Sequence, residues 1–568
     1  MSLIDGENID VARTVIDTTL GELRQGERTW AATTRTRRRE LLDQIRDLVA
    51  SNAQAWVDAA ADLKGLERTS PLIGEEWLAG PYALIGGLTA LADTLAALDA
   101  GRSPIDGHRV RTLPNGRVAL RVLPDKSFDR LLMSGFTAEV WMPPGIPADT
   151  VRRQAGLAEL DPTRTKGVGV VLGAGNITSI APLDALYELY ANNRVVVVKL
   201  NPILDPLLPV YQRIFAPLMD LKVLSMITGG ADVGGSLVQH EHVDHVHITG
   251  SAASHDAIVW GRGPEAAGRK ADGQPLLRTP ISSELGGVSP IIVLPGRWSA
   301  ADLRFQAEHV ATMRLTNGGY TCIAGQVVVI AADWAQKDAF LTELRAALER
   351  TPPRMAFYPG SDRRVADACD RYPDAERIGN RVLIAGGADR RYLLQTEFFA
   401  PVLGVIELPG ADFLNAAVRS ANDDFAGTLG VNLIAHPRTI RRLGSAFEAA
   451  LTELRYGSIG VNAWTGVGFL TATGSWGAFP GHTLTDVQSG IGGVHNAMLL
   501  DSPERTVVCG PFRPFPRSVL HGEWSILPKP PWFVTNRTGA RTARLMTAFA
   551  AAPTWRKLPA IFASALLG

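Results

Sequence analysis

The chain has 568 residues, which is too long for a single hydrophobic core and predicts roughly two or three domains. Hydrophobic residues make up 46% and charged residues 20% of the sequence, a composition that excludes a disordered protein. Because 57 basic residues balance 57 acidic ones, the overall charge gives no reason to expect nucleic acid or an anionic surface as partner.

The cysteine content and the N-terminal segment indicate the compartment. The three cysteines, Cys322, Cys369 and Cys509, cannot build a disulfide framework, which favours a reducing environment. The first residues, MSLIDGENID, lack the basic and apolar regions of a signal peptide, and we find no apolar run long enough to span a membrane. We therefore expect a soluble, cytoplasmic protein.

In chain order, the first predicted elements are helices over residues 33–98, with a break near Gly80 and Pro81. Short alternating runs over 107–145 predict hairpin strands that must join another sheet. From 166 onward, buried strands such as KGVGVVLG and RVVVVKL alternate with helices, and a second such series runs from ISSELGGVSPIIVL to about 465. This alternation predicts parallel sheets with right-handed crossovers.

The segment 511–568 differs in composition, since it carries eight Lys or Arg residues against one acid, together with three tryptophans. We interpret it as a tail that wraps a neighbouring subunit or the substrate domain of its own chain. The alternative is an amphipathic helix that lies on a membrane surface, although Pro553 and Pro559 interrupt the helical pattern.

Four residues with polar or reactive side chains lie beside predicted strands or turns and are candidates for a functional site. Cys322 follows a glycine-rich turn and precedes a strand, so it is either a nucleophile or a buried structural cysteine. Glu284 is either a general base or a surface carboxylate. Asn176 is an oxyanion donor or a helix N-cap, and Lys199 is a nucleotide-binding or a solvated strand-end lysine.

The order of the segments GAGN, VVVKLNP, HITGS, ELGGVSP, NGGYTC and TEFFAPVLGV resembles the aldehyde dehydrogenase superfamily over roughly residues 30–510. The resemblance implies that Cys322 is the nucleophile, which forms a thiohemiacetal and then a thioester. It also implies that Glu284 is the base, and that Asn176 and the backbone N–H of Cys322 form the oxyanion hole.

The same resemblance implies a nicotinamide cofactor, NAD or NADP. Lys199 would bind the adenine-side ribose, Gly250 and Ser251 would lie near the pyrophosphate, and Glu397 would hold the nicotinamide ribose with Phe399 against the ring. No metal is expected, although His240, His242, His245 and His247 are closely spaced.

The sequence departs from the family pattern at several positions. The stretch Gly173–Ala174–Gly175 is similar to acyl-CoA reductases of the same superfamily, and Leu200–Asn201–Pro202 lacks an acidic residue, which makes NADP plausible. His255 replaces a glycine of the pyrophosphate motif. WGRGPEAAGRKADG is an insert, which we expect to form an extra loop at the edge of the cofactor site.

These features predict an α/β fold with a Rossmann-type dinucleotide-binding domain (1–106 and 146–283) and an α/β catalytic domain (284–465). Bridging segments at 107–145 and 466–510 would pair with another subunit of a homodimer or homotetramer. The predicted function is NAD(P)-dependent oxidation of an aldehyde to a carboxylic acid. Alternatives are an acyl-CoA reductase that forms an aldehyde and a non-catalytic cofactor-binding homologue.

Overall fold

The computed structural model describes residues 6–386 and 389–568. The first five residues of the segment that we expect not to be a signal peptide lie outside these ranges. The α-helices are α1 (Gly6–Ala32), α2 (Arg35–Leu63), α3 (Ile73–Trp77), α4 (Ala83–Asp99), α5 (Asp129–Leu132), α6 (Ala148–Gln154), α7 (Ile180–Leu186), α8 (Leu208–Met219), α9 (Ala231–Val238), α10 (Ala252–Val259), α11 (Glu265–Ala271), α12 (Ala300–Leu315), α13 (Lys337–Arg350), α14 (Ser361–Arg371), α15 (Arg390–Gln395), α16 (Phe413–Asp423), α17 (Pro437–Leu443), α18 (Ser445–Glu453), α19 (Gly466–Leu470), α20 (Arg517–Leu520), α21 (Gly539–Ala551) and α22 (Leu558–Ala565).

The strands form two large sheets and one small ribbon. They are β1 (Val110–Thr112), β2 (Val118–Leu123), β3 (Thr137–Trp141), β4 (Val168–Leu172), β5 (Val195–Lys199), β6 (Leu224–Ile227), β7 (His245–Gly250), β8 (Ile281–Leu285), β9 (Ser289–Val293), β10 (Gly325–Ala331), β11 (Glu376–Ile378), β12 (Arg381–Ala385), β13 (Val402–Leu408), β14 (Gly430–Ile434), β15 (Ser458–Val461), β16 (Trp476–Gly477), β17 (Gly490–Ile491), β18 (Gly493–Val494) and β19 (Arg505–Cys509).

The N-terminal helices cover one face of the first sheet. The predicted helices and their break are confirmed, because a π-helical turn, Leu78–Tyr82, joins α3 to α4. The helix α1 was not predicted and is a correction. Its buried residues Ile16, Leu20, Leu23 and Trp30 recur at helical spacing, so the signal was present in the sequence.

The first sheet has six strands in the order β17-β8-β7-β4-β5-β6, and all but β17 run parallel. Its central strands β4 and β5 are buried on both faces, as their continuous apolar runs predicted. The boundary predicted between residues 283 and 284 needs correction, because it falls inside β8. Glu284 therefore belongs to this first sheet and not to the second unit, which consists of the second sheet and the helices packed on it.

The second sheet has eleven strands in the order β1-β2-β3-β19-β15-β14-β9-β10-β13-β12-β11. The strands from β19 to β12 are parallel, while the predicted hairpin strands β1, β2 and β3 add at one edge in antiparallel register. The hairpin thus joins the β19 segment within the same chain, and β1 is left as an edge strand.

The C-terminal segment packs on the second unit. The hydrophobic core around the second sheet includes the buried residues Phe512, Trp532, Phe533, Met546 and Phe549. The helical pattern breaks where Pro553 predicted, since α21 ends at Ala551 and α22 begins at Leu558. The segment is therefore held by its own chain.

Among the described residues, one helical stretch is long and apolar enough to cross a membrane, contrary to our expectation that none would be. It spans Ile73–Asp99 with a mean hydropathy of 1.3, and 61% of its most apolar window is buried inside the structure. It carries Glu75 and Glu76 and contains the π-helical turn. This burial is typical of a core helix.

Candidate functional site

A cavity of about 720 Å³ is lined by residues of the first sheet and its loops together with loops that lead into the second sheet. Parallel strands present their carboxyl ends at one edge of a sheet, so the loops that follow them meet there. All the sequence-predicted site residues line this cavity, namely Asn176, Lys199, Gly250, Ser251, Glu284, Cys322, Glu397 and Phe399. The first five lie on strands of the first sheet or in the loops that directly follow them, and the last three lie in loops that precede the neighbouring strands β10 and β13.

Cys322 is placed by a tight turn of left-handed residues. Asn317 has φ 53°, and Gly318 and Gly319 have φ 70° and 84°. A Cβ on Gly319 would lie 2.9 Å from the carbonyl oxygen of Ala400, so only glycine fits this approach. Burial, and then the neighbouring Glu284 carboxylate, raise the pKa of Cys322 well above its ordinary value, so the thiol is protonated in this state.

Glu284 lies near the carboxyl end of β8, paired with Gly490 of β17. Its Oε1 accepts a hydrogen bond of 3.1 Å from the indole Nε1 of Trp476. Its Oε2 is buried without a hydrogen-bond partner among the described residues. Burial raises the pKa of Glu284. The indole therefore fixes the carboxyl group while one oxygen stays free to take a proton.

Asn176 lies in the loop between β4 and α7. Its side-chain Nδ2 donates a hydrogen bond of 3.0 Å to the carbonyl oxygen of Tyr320, two residues before Cys322. The alternative that Asn176 caps the helix is wrong, because Ser179 precedes the first residue of α7. The Nδ2 of Asn317 donates to the carbonyl oxygens of both Asn176 and Tyr320, at 3.0 Å each. Asn317 thus ties the two loops together, a role that sequence reasoning missed.

A buried group of Asp184, His247 and His495 lies beside Glu284. Asp184 Oδ1 is 2.9 Å from His495 Nε2, and Asp184 Oδ2 accepts a 2.9 Å bond from the hydroxyl of Thr249. The adjacent imidazoles hold the pKa of Asp184 well below its usual range, although burial acts in the opposite direction. His495 also lowers the pKa of Glu284. No local motif predicted this group.

Three of the four closely spaced histidines have separate side-chain partners, whereas the Nδ1 of His242 has none among the described residues. His240 Nε2 lies 3.1 Å from Asp17 Oδ1, His245 Nδ1 lies 3.3 Å from Glu188 Oε1, and His247 Nδ1 lies 2.8 Å from the hydroxyl of Ser282. Within residues 6–386 and 389–568, no group of three His, Cys, Asp or Glu side chains is arranged to hold a metal ion.

Lys199, Gly250 and Ser251 line the far end of the cavity. Burial lowers the pKa of Lys199, whereas the nearby negative charges of Asp205 and Asp232 act to raise it. The hydroxyl of Ser251 caps α10 by accepting a hydrogen bond from Ser254 N, and both serines, at the N-terminus of the helix, line the cavity. Part of the predicted insert folds as α11, and Arg262 just before it lines the cavity, as expected for a loop at its edge.

Glu397 and Phe399 form the wall near Cys322. Burial raises the pKa of Glu397 to about 7, and its Oε1 has no hydrogen-bond partner in the described parts of the chain. A Cβ on Gly286 would lie 2.1 Å from that oxygen. Gly286, the first glycine of ELGG, therefore makes room for the Glu397 carboxyl group. The neighbouring Phe399 has φ 43°, and Arg364 Nη2 donates a hydrogen bond of 3.1 Å to its carbonyl oxygen.

A second, smaller cavity of about 60 Å³ lies on the other side of Cys322. Its apolar lining includes Trp464, Phe469 and Trp476. At its polar end, Lys64 Nζ lies 2.9 Å from Glu76 Oε2. Cys322 lines both cavities, so the thiol stands at their junction.

Comparisons with known proteins find similar sequences among aldehyde dehydrogenases. A model of the aldehyde dehydrogenase family matches residues 167–362. A putative aldehyde dehydrogenase AldX of Bacillus subtilis is 26% identical over 300 residues, covering 48% of this chain and 62% of that protein. The D-glyceraldehyde dehydrogenase (NADP(+)) of Picrophilus torridus is 24% identical over 268 residues, covering 42% of this chain and 49% of that protein. The chain thus spans about half to six-tenths of the length of these relatives.

Solved structures share the fold over most of the chain. The gamma-glutamyl-gamma-aminobutyraldehyde dehydrogenase of Burkholderia cenocepacia superposes with a TM-score of 0.59 at 19% identity, covering 87% of this chain and 88% of the other. An indole-3-acetaldehyde dehydrogenase in complex with NAD+ gives a TM-score of 0.57 at 18% identity, with 87% and 89% coverage.

Proposed function

Because the chain belongs to the aldehyde dehydrogenase superfamily, we propose that it catalyses the NAD(P)-dependent oxidation of an aldehyde to a carboxylic acid. The observation that carries the proposal is the position of Cys322 at the junction of a large and a small cavity, with Glu284 and Asn176 beside it. A cofactor on one side and an aldehyde on the other can both reach a nucleophile placed there.

The larger cavity fits a dinucleotide. Its volume lies in the usual range for small-molecule sites. The N-terminus of α10 and the side chain of Lys199 suit the phosphate and adenosine end, and the free Oε1 of Glu397 suits a ribose hydroxyl. When bound, the cofactor supplies a hydride acceptor. The absence of an acid after Lys199 and the presence of Arg262 favour NADP as well as NAD.

The residues of the chain divide the remaining work. Glu284 accepts the proton of the Cys322 thiol, and the thiolate attacks the aldehyde carbonyl to give a thiohemiacetal. Asn176 carries two N–H donors, one of which is engaged by Tyr320, and the other supports the oxyanion together with the backbone N–H of Cys322. Glu284 passes this proton to solvent, and after hydride leaves the substrate carbon to give the thioester, it takes a proton from water. The resulting hydroxide attacks the thioester carbonyl and the C–S bond breaks, which releases the acid while the Cys322 sulfur takes the proton back from Glu284.

Retention of Glu284 favours hydrolysis over transfer of the acyl group to a thiol carrier.

The three cysteines are free, and we propose a reducing, cytoplasmic location. The open edge of β1 suits pairing in a homo-oligomer, since exposed strand edges are usually covered. Contact of the C-terminal segment with a membrane surface is the less favoured arrangement.

Steady-state assays test the proposal. NAD(P)H formation is expected with a panel of aldehydes and both cofactors, and Cys322→Ala should abolish it. Glu284→Gln should lower kcat strongly without a burst of NAD(P)H, because the same carboxylate generates the thiolate and later activates the hydrolytic water. Rapid NAD(P)H consumption with acyl-CoA would instead identify an acyl-CoA reductase. Cofactor binding without either reaction would identify a non-catalytic homologue.

A further inference from the structure

The small cavity beside Cys322 has a mostly apolar lining with charged side chains at one end. Its volume of about 60 Å³ is small against the several hundred Å³ of a typical ligand pocket. A substrate of more than a few carbons must therefore extend past one wall. At the polar end, Lys64 pairs with Glu76, and Arg354 pairs with both Glu75 and Glu76. An apolar chain that displaced these buried ion pairs would leave charges unpaired.

The opposite wall consists of Leu78, Leu470 and Trp532. These same three side chains also line a third cavity of about 200 Å³, so a single layer of side chains separates the two spaces. The third cavity is bounded by α4, the hairpin and α21, and its rim carries exposed Asp93 and Lys126, which form an ion pair of 2.6 Å. It therefore leads from the surface towards the thiol.

The C-terminal segment supplies much of the lining of this third cavity, which we call the outer chamber. Trp532, Met546, Phe549 and Ala550 line it. The segment approaches the N-terminal helices closely, since a Cβ on Gly74 of α3 would lie 2.7 Å from the backbone carbon of Gly539 in α21. It is also anchored on the second unit, where Arg513 Nε lies 2.8 Å from Asp302 Oδ1.

We propose that the C-terminal segment 511–568 forms the outer wall of an apolar channel to Cys322, and that this channel holds the hydrocarbon chain of a medium- or long-chain aldehyde. The inference rests on the proposed function and names its substrate class. The aldehyde carbon lies at Cys322, the first carbons occupy the small cavity, and the rest of the chain crosses the layer of Leu78, Leu470 and Trp532 into the outer chamber. The charged rim remains in water.

Gly86 offers a sharp test, because it lines the outer chamber from the first turn of α4. A Cβ at this position would meet only the Cβ of Ala472, at an ordinary contact distance of 3.6 Å. Gly86→Leu therefore fills the chamber without a backbone clash. Gly21→Leu is the matched control, since nothing lies within 4 Å of a Cβ on this residue of α1.

The measurement is the ratio of kcat/KM for octanal to that for propanal. Burial of each methylene contributes up to about fourfold, so the wild-type ratio should exceed tenfold. Gly86→Leu should lower the ratio at least tenfold, whereas Gly21→Leu should not change it. A wild-type ratio near one, or a ratio that Gly86→Leu leaves unchanged in a protein with normal thermal unfolding, would overturn the channel but not the proposed function.

If no aldehyde is oxidised, the proposed function fails and the channel is tested by binding alone. Calorimetric titration with n-octanol should then show binding to the wild type and to Gly21→Leu, with at least tenfold weaker binding to Gly86→Leu. Equal binding to all three proteins, or no binding to the wild type, would refute the channel.

Discussion

Replacing Asn176 with alanine should remove an oxyanion donor while leaving the fold nearly intact. The side-chain Nδ2 of Asn176 lies 3.0 Å from the carbonyl oxygen of Tyr320, which places it two residues from the nucleophile. Loss of one such donor typically lowers kcat about 10²–10³-fold, or roughly 2.7–4 kcal/mol of transition-state stabilisation. We expect this loss in kcat for aldehyde oxidation by Asn176→Ala.

The effect on stability should be small for a structural reason. Tyr320 O keeps its 3.0 Å hydrogen bond from Asn317 Nδ2 in the variant, so no buried carbonyl is left unpaired. The loss in unfolding free energy should therefore stay near ~1 kcal/mol, the usual contribution of a single hydrogen bond. Thermal unfolding measures this cost, and cofactor titration checks that the other side of the cleft is unchanged.

A matched control separates catalysis from folding. Asn415→Ala removes an exposed asparagine that bonds only to Asp412 in the described structure, and it should change neither kcat nor the melting temperature. The assignment of Asn176 would be refuted if kcat of Asn176→Ala stayed within about threefold of the wild type in a folded protein.

Two further predictions concern buried charges. Burial raises the pKa of Glu397 to about 7, above its value of about 4.5 in the unfolded chain, so the folded protein binds the extra proton between these values and loses stability as pH rises through them. Glu397→Gln should remove a cost of about 3 kcal/mol at pH 8.5. Its melting temperature should thus exceed that of the wild type there and match it at pH 4, and equal differences at both pH values would contradict the assignment. Arg513→Ala should lower the melting temperature and expose the C-terminal segment to limited proteolysis, because it leaves Asp302 and Glu523 with fewer partners and a broken buried pair costs roughly 3–5 kcal/mol. The exposed Arg541→Ala is its control, and similar behaviour of the two variants would show that the Arg513 contacts do not hold the segment.

Local sequence signals predicted the two sheets well. Continuous apolar runs predicted β4 and β5, and glycines marked the turn before Cys322 and the turn after Glu284. These signals are local, because a tight turn needs left-handed residues in the chain that forms it, as at Gly318 and Gly319. The predicted boundary at 284 was wrong, since β8 and β9 are both buried strands separated by only a few residues and nothing local assigns β8 to the first sheet.

The residues that orient the predicted site residues were not predictable in the same way. Trp476 is 192 residues from Glu284 in sequence, and Asn317 is 141 residues from Asn176. Each contributes a single side chain whose partner is set by packing of distant elements, and no spacing rule records such a contact. The same holds for Trp532, which reaches the small cavity from a segment whose composition predicted only a basic tail. A sequence can therefore reveal which groups react, whereas the chain's own distant segments determine how those groups are held and what can approach them.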